Sequence, residues 1–208
     1  MNTARWQFET ALRREGKTVT DHSRAEHTVL FRRNADKNQT EDHVTIFHRA
    51  DSGIAPGYTL ELNNFHFLVL NAESPENTVY LRSDAVHCNG SADLCTVEEG
   101  MDENFNMVTV AKPYAQAVPV FILSGLDASF ASLSADDFRL LIPARYGLTL
   151  KNFITFTTLK QSESTHAFSA ETAYYKPTSI DYSNMKIDEN GTISGVLSVL
   201  ATITNTIE

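Results

Sequence analysis

The sequence predicts a mainly β protein: a short N-terminal helix followed by two small antiparallel β-barrel or sandwich domains. Three observations carry this expectation. Apolar residues at helical spacing occupy the stretch before Gly16, short runs rich in β-branched and aromatic residues follow, and Gly, Pro and Asn clusters separate those runs. With 42% hydrophobic and 21% charged residues, the composition is that of a folded globular chain and excludes a disordered or fibrous one.

In the opening segment Ala4, Phe8, Ala11 and Leu12 form one stripe, Arg5, Glu9, Arg13 and Arg14 lie elsewhere around the turn, and Gly16 stands where a C-terminal cap belongs. That stripe packs either on its own domain or on a neighbouring subunit. After Gly16 come "TVLFRR", "VTIFHR", "YTLEL", "FHFLVL" and "TVYLRS". In the second of these, Thr45, Phe47 and Arg49 fall on one side and Val44, Ile46 and His48 on the other, the period of a strand. "DSGIAPG", "NN" and "ESPEN" supply the reversals. The first domain is therefore expected over 1–89.

Residues 90–106 are acidic, small and unpatterned, and read as a linker loop. A second β-rich domain is expected over 107–208, built from "MVTVAKP", "AVPVFIL", "FRLLIPARYGLTL", "NFITFTTL", "YYKPTSIDY" and "ISGVLSVLATITNTI". "ENGT", Glu189 to Thr192, suits a hairpin turn. In "SADDFRLLIP", Ser134 and Asp137 would cap a helix, but Pro143 would end it after two turns, and the flanking strands favour an extended segment.

A formal charge of −9 argues against a sequence-independent grip on nucleic acid, which needs a basic face. The longest apolar runs are too short to span a bilayer, and the start "MNTARWQFETALRREG" lacks the apolar core of a signal peptide, so synthesis in the cytoplasm without export is expected. Glycan attachment at Asn38, Asn89 and Asn190 is then not expected.

"YLRSDAVHCNGSADLC", Tyr80 to Cys95, holds both cysteines and a histidine. A zinc site wants four closely spaced ligands; Cys-x2-Cys is missing, and His43, His48 and His66 would have to complete the set from ordinary strand positions. A nucleophile needs a base beside it, yet His87 and Cys88, adjacent on a strand, point to opposite faces. A disulfide across "CNGSADLC" is sterically possible but unfavoured in a reducing compartment. The simplest reading is that Cys88 closes a strand and Asn89-Gly90 turns the chain. No phosphate-binding loop, GxSxG, HExxH or GxGxxG motif is present, and the acidic pairs Glu41-Asp42, Glu98-Glu99 and Asp136-Asp137 read as solvated faces. No enzyme, metal or cofactor is expected.

The order of segments from Glu15 to Asn89, "EGKTVT", "VLFRRN", "TIFHRADSGIAPG", "FHFLVL" and "TVYLRSDAVHCN" after a helix, resembles the small neck proteins of tailed phages, the head-closure or head-tail connector group found with Gram-positive hosts. "YYKPTSIDY" and the Gly-containing last strand resemble their closing segment. One departure is Gly57-Tyr58, where the group has Gly-Asp. The resemblance implies a virion structural protein made in the host cytoplasm. It would act as a homo-oligomeric ring between portal or adaptor and tail proteins, through which DNA passes without tight binding, with no cofactor and no membrane.

Within that expectation the helix and the edges of the first barrel make the ring-closing contacts. Phe8, Leu12, Arg32, Arg33, Arg49 and Arg82 are the candidate subunit-interface residues, the arginines because they pair bidentately with carboxylates that this acidic chain has in excess. An alternative of another class is a β-sandwich binding module of a tail fibre or baseplate. Such a module would recognise glycan or protein, with Tyr114, Tyr146, Tyr174 and Tyr175 lining a shallow site.

Overall fold

A computed structural model describes residues 3–33, 43–73, 79–101, 103, 105–123, 137–161 and 168–204. The chain is mainly β with one short helix at its N-terminus, as expected. It divides into two compact units: Met1–Asn89 with Pro143–Arg145 and Asn184–Val196, and Gly90–Ile142 with Tyr146–Ser183 and Leu197–Glu208.

The first unit opens with α1 (Thr3–Glu15), capped as Gly16 N–H donates to the Leu12 carbonyl at 3.0 Å. Six strands follow, β1 (Lys17–Asp21), β2 (Glu26–Arg33), β3 (His43–Arg49), β4 (Thr59–Leu62), β5 (Phe65–Val69) and β6 (Tyr80–His87). They form a closed barrel in the order β1-β2-β3-β6-β5-β4, and β1 returns to β4 through Thr20↔Glu61 and Asp21↔Leu60. Closure leaves no sheet edge in the ring.

Alternation places Val19, Val29, Ile46, Leu60, Val69 and Ala85 inside, all essentially inaccessible to solvent. Each of the larger ones contributes roughly 1.5–3 kcal/mol through burial. Asn63 and Asn64 both take positive φ in the two-residue turn between Leu62 and Phe65, the twist that a tight hairpin requires.

Asp21 organises the turn after β1. Its carboxylate accepts from the Ser23 N–H at 2.8 Å, the Ser23 hydroxyl at 2.7 Å and the Ala25 N–H at 3.0 Å, and meets His27 Nε2 at 2.9 Å. Burial alone would raise this carboxyl, but the hydrogen bonds from Ser23, His27 and Ala25 together outweigh it and hold Asp21 well below the usual carboxylate range.

The same unit takes in two later segments. Arg145, in the 3-10 turn Ala144–Tyr146, donates to the Gly57 carbonyl and, at 3.1 Å, to Thr59 Oγ1. The hairpin of β12 (Met185–Ile187) and the start of β13 (Ile193–Thr204) meets the loop before β4, where Gly195 N–H donates to the Pro56 carbonyl at 2.8 Å. The "ENGT" turn joins β12 to β13 as expected: Asp188 Oδ1 accepts from the Asn190 N–H at 2.9 Å and the Thr192 N–H at 2.7 Å, and Gly191 takes φ +80°.

The second unit contains β7 (Gly90–Met101), β8 (Met107–Leu123), β9 (Asp137–Pro143) up to Ile142, β10 (Phe153–Gln161), β11 (Phe168–Asp181) and the later part of β13. The sheet order is β11-β10-β7-β8-β9-β13-β12, and β11 also pairs with β13 from Tyr174↔Thr204 to Asp181↔Ser198. That pairing makes a second closed circuit of six strands, β11-β10-β7-β8-β9-β13, with β12 outside it. Phe138, Phe156 and Tyr175 form an aromatic cluster with centroids 4.4–6.0 Å apart.

Three expectations are corrected here. The linker loop over 90–106 is instead strand through Met101. Glu98 and Glu99 stand side by side between Val97 and Gly100, all four paired in register with β8, so the adjacent charges concealed the strand. "MVTVAKP" and "AVPVFIL" belong to one 17-residue strand, β8. Its two prolines are tolerated beside register shifts around Leu94, and Ala117 takes φ +51° as its N–H donates to Asp93 Oδ1 at 2.7 Å. Third, the second unit starts at Gly90, not 107, and the first unit is completed by residues far along the chain. The segment over 137–143 is extended, as read from Pro143.

Candidate functional site

β6 ends at His87, and the next residue, Cys88, donates its N–H to the His66 carbonyl at 2.8 Å. The His87 ring lies against Phe65 and Phe67, with centroids 5.3 and 5.5 Å away. Burial pushes the Cys88 thiol up to about 12. Cys95 sits inside β7, between Phe153 of β10 and Pro113 of β8, and its thiol is also raised, by burial, against the opposing hydrogen bond with Thr155. Both thiols are unbridged. Their shifts run opposite to the direction that activates a nucleophile or a metal ligand. Among the described residues no three His, Cys, Asp or Glu side chains gather as a metal set would.

His48 is a second polar centre of the first unit. Fully buried on β3, it places Nε2 2.9 Å from the Ser83 hydroxyl and Nδ1 2.7 Å from that of Ser52 and 3.2 Å from the Arg49 carbonyl. Hydroxyls rotate to suit either tautomer, so each ring nitrogen is satisfied. A serine–histidine pair can support acyl transfer when a carboxylate orients the base. Here a second serine occupies that position, and the network pins the turn after β3 to β6.

Burial lowers the His48 pKa from its ordinary 6.5, with His27 adding to the effect against the Arg49 carbonyl; burial, then the charge of Arg145, lowers His22 likewise. A depressed histidine means that the unfolded chain takes up the proton first as pH falls. Stability from these two groups is therefore complete above about 6.5 and declines below it, until the folded form also protonates. Asp21 adds a second loss as pH falls through 3.8, its ordinary value. The unfolding midpoint is expected to be lower at pH 5.5 than at pH 7.5, and His48→Gln should reduce that difference; calorimetry at the two pH values checks it.

A cleft of about 310 Å³ lies in the first unit beside His22, Tyr58, Arg145, Asp188 and Gly195. Tyr58, at the Gly57-Tyr58 departure, packs edge-on to His22 at 4.6 Å. Arg145 is bound to Gly57 and Thr59 and so holds its segment to the barrel, while Asp188 caps its own turn.

The expected interface residues divide. Phe8 and Leu12 are buried with Leu30, against Phe47 and Tyr80, within their own unit. This corrects their assignment to a neighbouring subunit: the apolar stripe is consumed inside the unit. Arg49 is exposed but engaged within the unit, bonded through Nε and Nη2 to both Glu9 carboxylate oxygens at 2.9 and 2.8 Å, and it ties α1 to β3. Arg32 is exposed on β2, and Arg82, half-exposed on β6, stands 3.6 Å from Asp84. The Arg33 side chain, like Glu41, Asp42 and Asp136, lies outside the described residues.

Tyr175 is core, Tyr146 and Tyr174 are half-buried, and Tyr114 is exposed on β8. Glu98 pairs with Lys112 at 3.2 Å, and Asp137 accepts from the Thr202 hydroxyl. Sequence reading missed the distal β7–β8 ribbon, whose apolar side chains are left in solvent. The signal was present in "TVEEGM" and "MVTVAK", two half-alternating runs mirrored about a polar turn.

No helix among the described residues is long and apolar enough to cross a membrane. No protein-family model matches the chain, and no curated protein or solved structure matches it.

Proposed function

We propose that this is a non-enzymatic structural protein of the tailed-phage neck, whose two barrel domains assemble with further copies into a ring joining portal to tail. The observation that carries the reading is the element order over 15–89. There the segments that carry the resemblance follow a helix as short strands, and these strands build a closed six-stranded barrel. Two further features support it. Two polar centres of the first unit, His48 with its serines and Asp21 with its turn, serve to hold the barrel. The acidic balance suits a channel that DNA must traverse without being bound, since a basic lining would retain phosphate.

The test is assembly. The full chain at micromolar concentrations, examined by light scattering and negative-stain microscopy, is expected to form closed rings that bind portal or tail proteins. A chain that stays monomeric beside those components, while binding a glycan on an array, would instead favour the tail-fibre or baseplate module.

A further inference from the structure

Beyond its last pairing with β10 at Cys95, the β7–β8 hairpin continues alone for six cross-strand pairs, Thr96↔Lys112 to Met101↔Met107. This two-stranded ribbon reaches roughly 20 Å at about 3.3 Å per residue. None of its described residues is buried, and no third strand flanks it among the described residues. Isolated two-stranded ribbons are marginal in water. This one is nevertheless tipped with apolar side chains: Met101 is 67% exposed, Phe105 83% and Met107 62%. Between Cys95 and Pro113 the sequence carries four acids against one lysine, and that lysine is engaged by Glu98.

A surface of opposite character lies on the outer side of α1. Opposite the buried Phe8 and Leu12, Trp6 is 60% exposed and shares its face with Arg13, about two turns further along, and Arg14 stands exposed next to Arg13. Of the two acids on α1, Glu9 is occupied by Arg49, and Glu15 ends the helix directly after Arg14. The helix thus presents an indole with guanidinium groups about two turns further along, and the ribbon presents thioethers and a phenyl ring beside carboxylates. Methionine sulfur packs well on aromatic faces, and arginine pairs with carboxylate, so the two complement each other in both apolar and charged parts.

We infer that the distal β7–β8 ribbon of one copy docks on the Trp6–Arg13–Arg14 face of α1 in the next copy. Two different patches meeting in this way make a heterologous contact, the kind that generates rings. The inference rests on the ring reading above and names the surfaces that would close it.

Trp6 is the chain's single tryptophan, so its fluorescence reports the contact directly. Full-length protein is followed across concentration by light scattering and tryptophan emission, together with Glu99→Lys/Glu103→Lys, Arg13→Glu/Arg14→Glu and the four-fold swap. All four residues are exposed, and circular dichroism checks that each variant is folded. Association with a blue shift is expected for the native chain. Either reversal should weaken association by about tenfold or more, and the swap should restore it. Rings that form without a blue shift and ignore both reversals would overturn this contact and leave the ring reading intact. A chain monomeric at every concentration would overturn both. A blue shift seen only on adding another virion protein would assign the face to that partner instead.

Discussion

Gly195→Ala is expected to lower the thermal unfolding midpoint by roughly 6–12 °C, the shift that about 3 kcal/mol produces in a chain of this size. Gly195 holds φ +101°, and a Cβ there would overlap the Asn184 carbonyl; Gly57 holds φ +86°, and a Cβ there would overlap the Gly195 carbonyl. Two backbones touch directly at this place, fastened by the Gly195 N–H to the Pro56 carbonyl. The cost has two parts: about 1–2 kcal/mol for a left-handed conformation in an L-residue, and the displacement of backbone that cannot yield. Gly53→Ala separates them. Gly53 has φ +74° but nothing within 4 Å of a Cβ, so it should show the conformational part alone. Equal losses at 53 and 195 would mean that the close approach contributes nothing.

Leu12→Ala is expected to destabilise the dilute, monomeric chain by about 2–4 kcal/mol in urea unfolding, the cost of a core leucine truncated into a cavity. Leu12 is 3% exposed and packs with Phe8 and Leu30 against Phe47 and Tyr80, where Phe8 and Tyr80 stack at 5.0 Å. If the stripe served a neighbouring copy, dilution would already have removed its contribution, and the monomer would unfold at the same urea concentration with or without the leucine. Loss of the exposed Arg49–Glu9 pair should matter far less, by up to about 1 kcal/mol, because solvent screens it.

Local chemistry made much of the fold legible. The helix ending at Gly16, the Asn63-Asn64 reversal, the alternation of Val44, Ile46 and His48 and the Asp188–Thr192 turn each depend on a few neighbouring residues, and each formed where read. Residues 90–101 were misread because only Ala92 and Leu94 keep a buried alternation, while past Cys95 the strand is open to solvent and its adjacent acids break the period. The candidate site was less legible. Of the arginines chosen for bidentate pairing, Arg49 of β3 found its carboxylate on α1 of the same chain, forty positions away, a partner that no local pattern specifies.

By itself the sequence determined most of the strands, many of the turns that reverse them and that the chain is acidic, because propensity, period and charge are properties of neighbours along the chain. Only the tertiary structure decided that six strands close on one another through Asp21 and Leu60, that Gly57 and Gly195 bring residues 184–196 into the first unit, and that Phe8 and Leu12 are spent inward while Trp6 and the β7–β8 ribbon remain open. Those outcomes turn on distances between residues tens to more than a hundred positions apart, and such distances are set by packing, in which every buried side chain removes one surface from the set available to a partner.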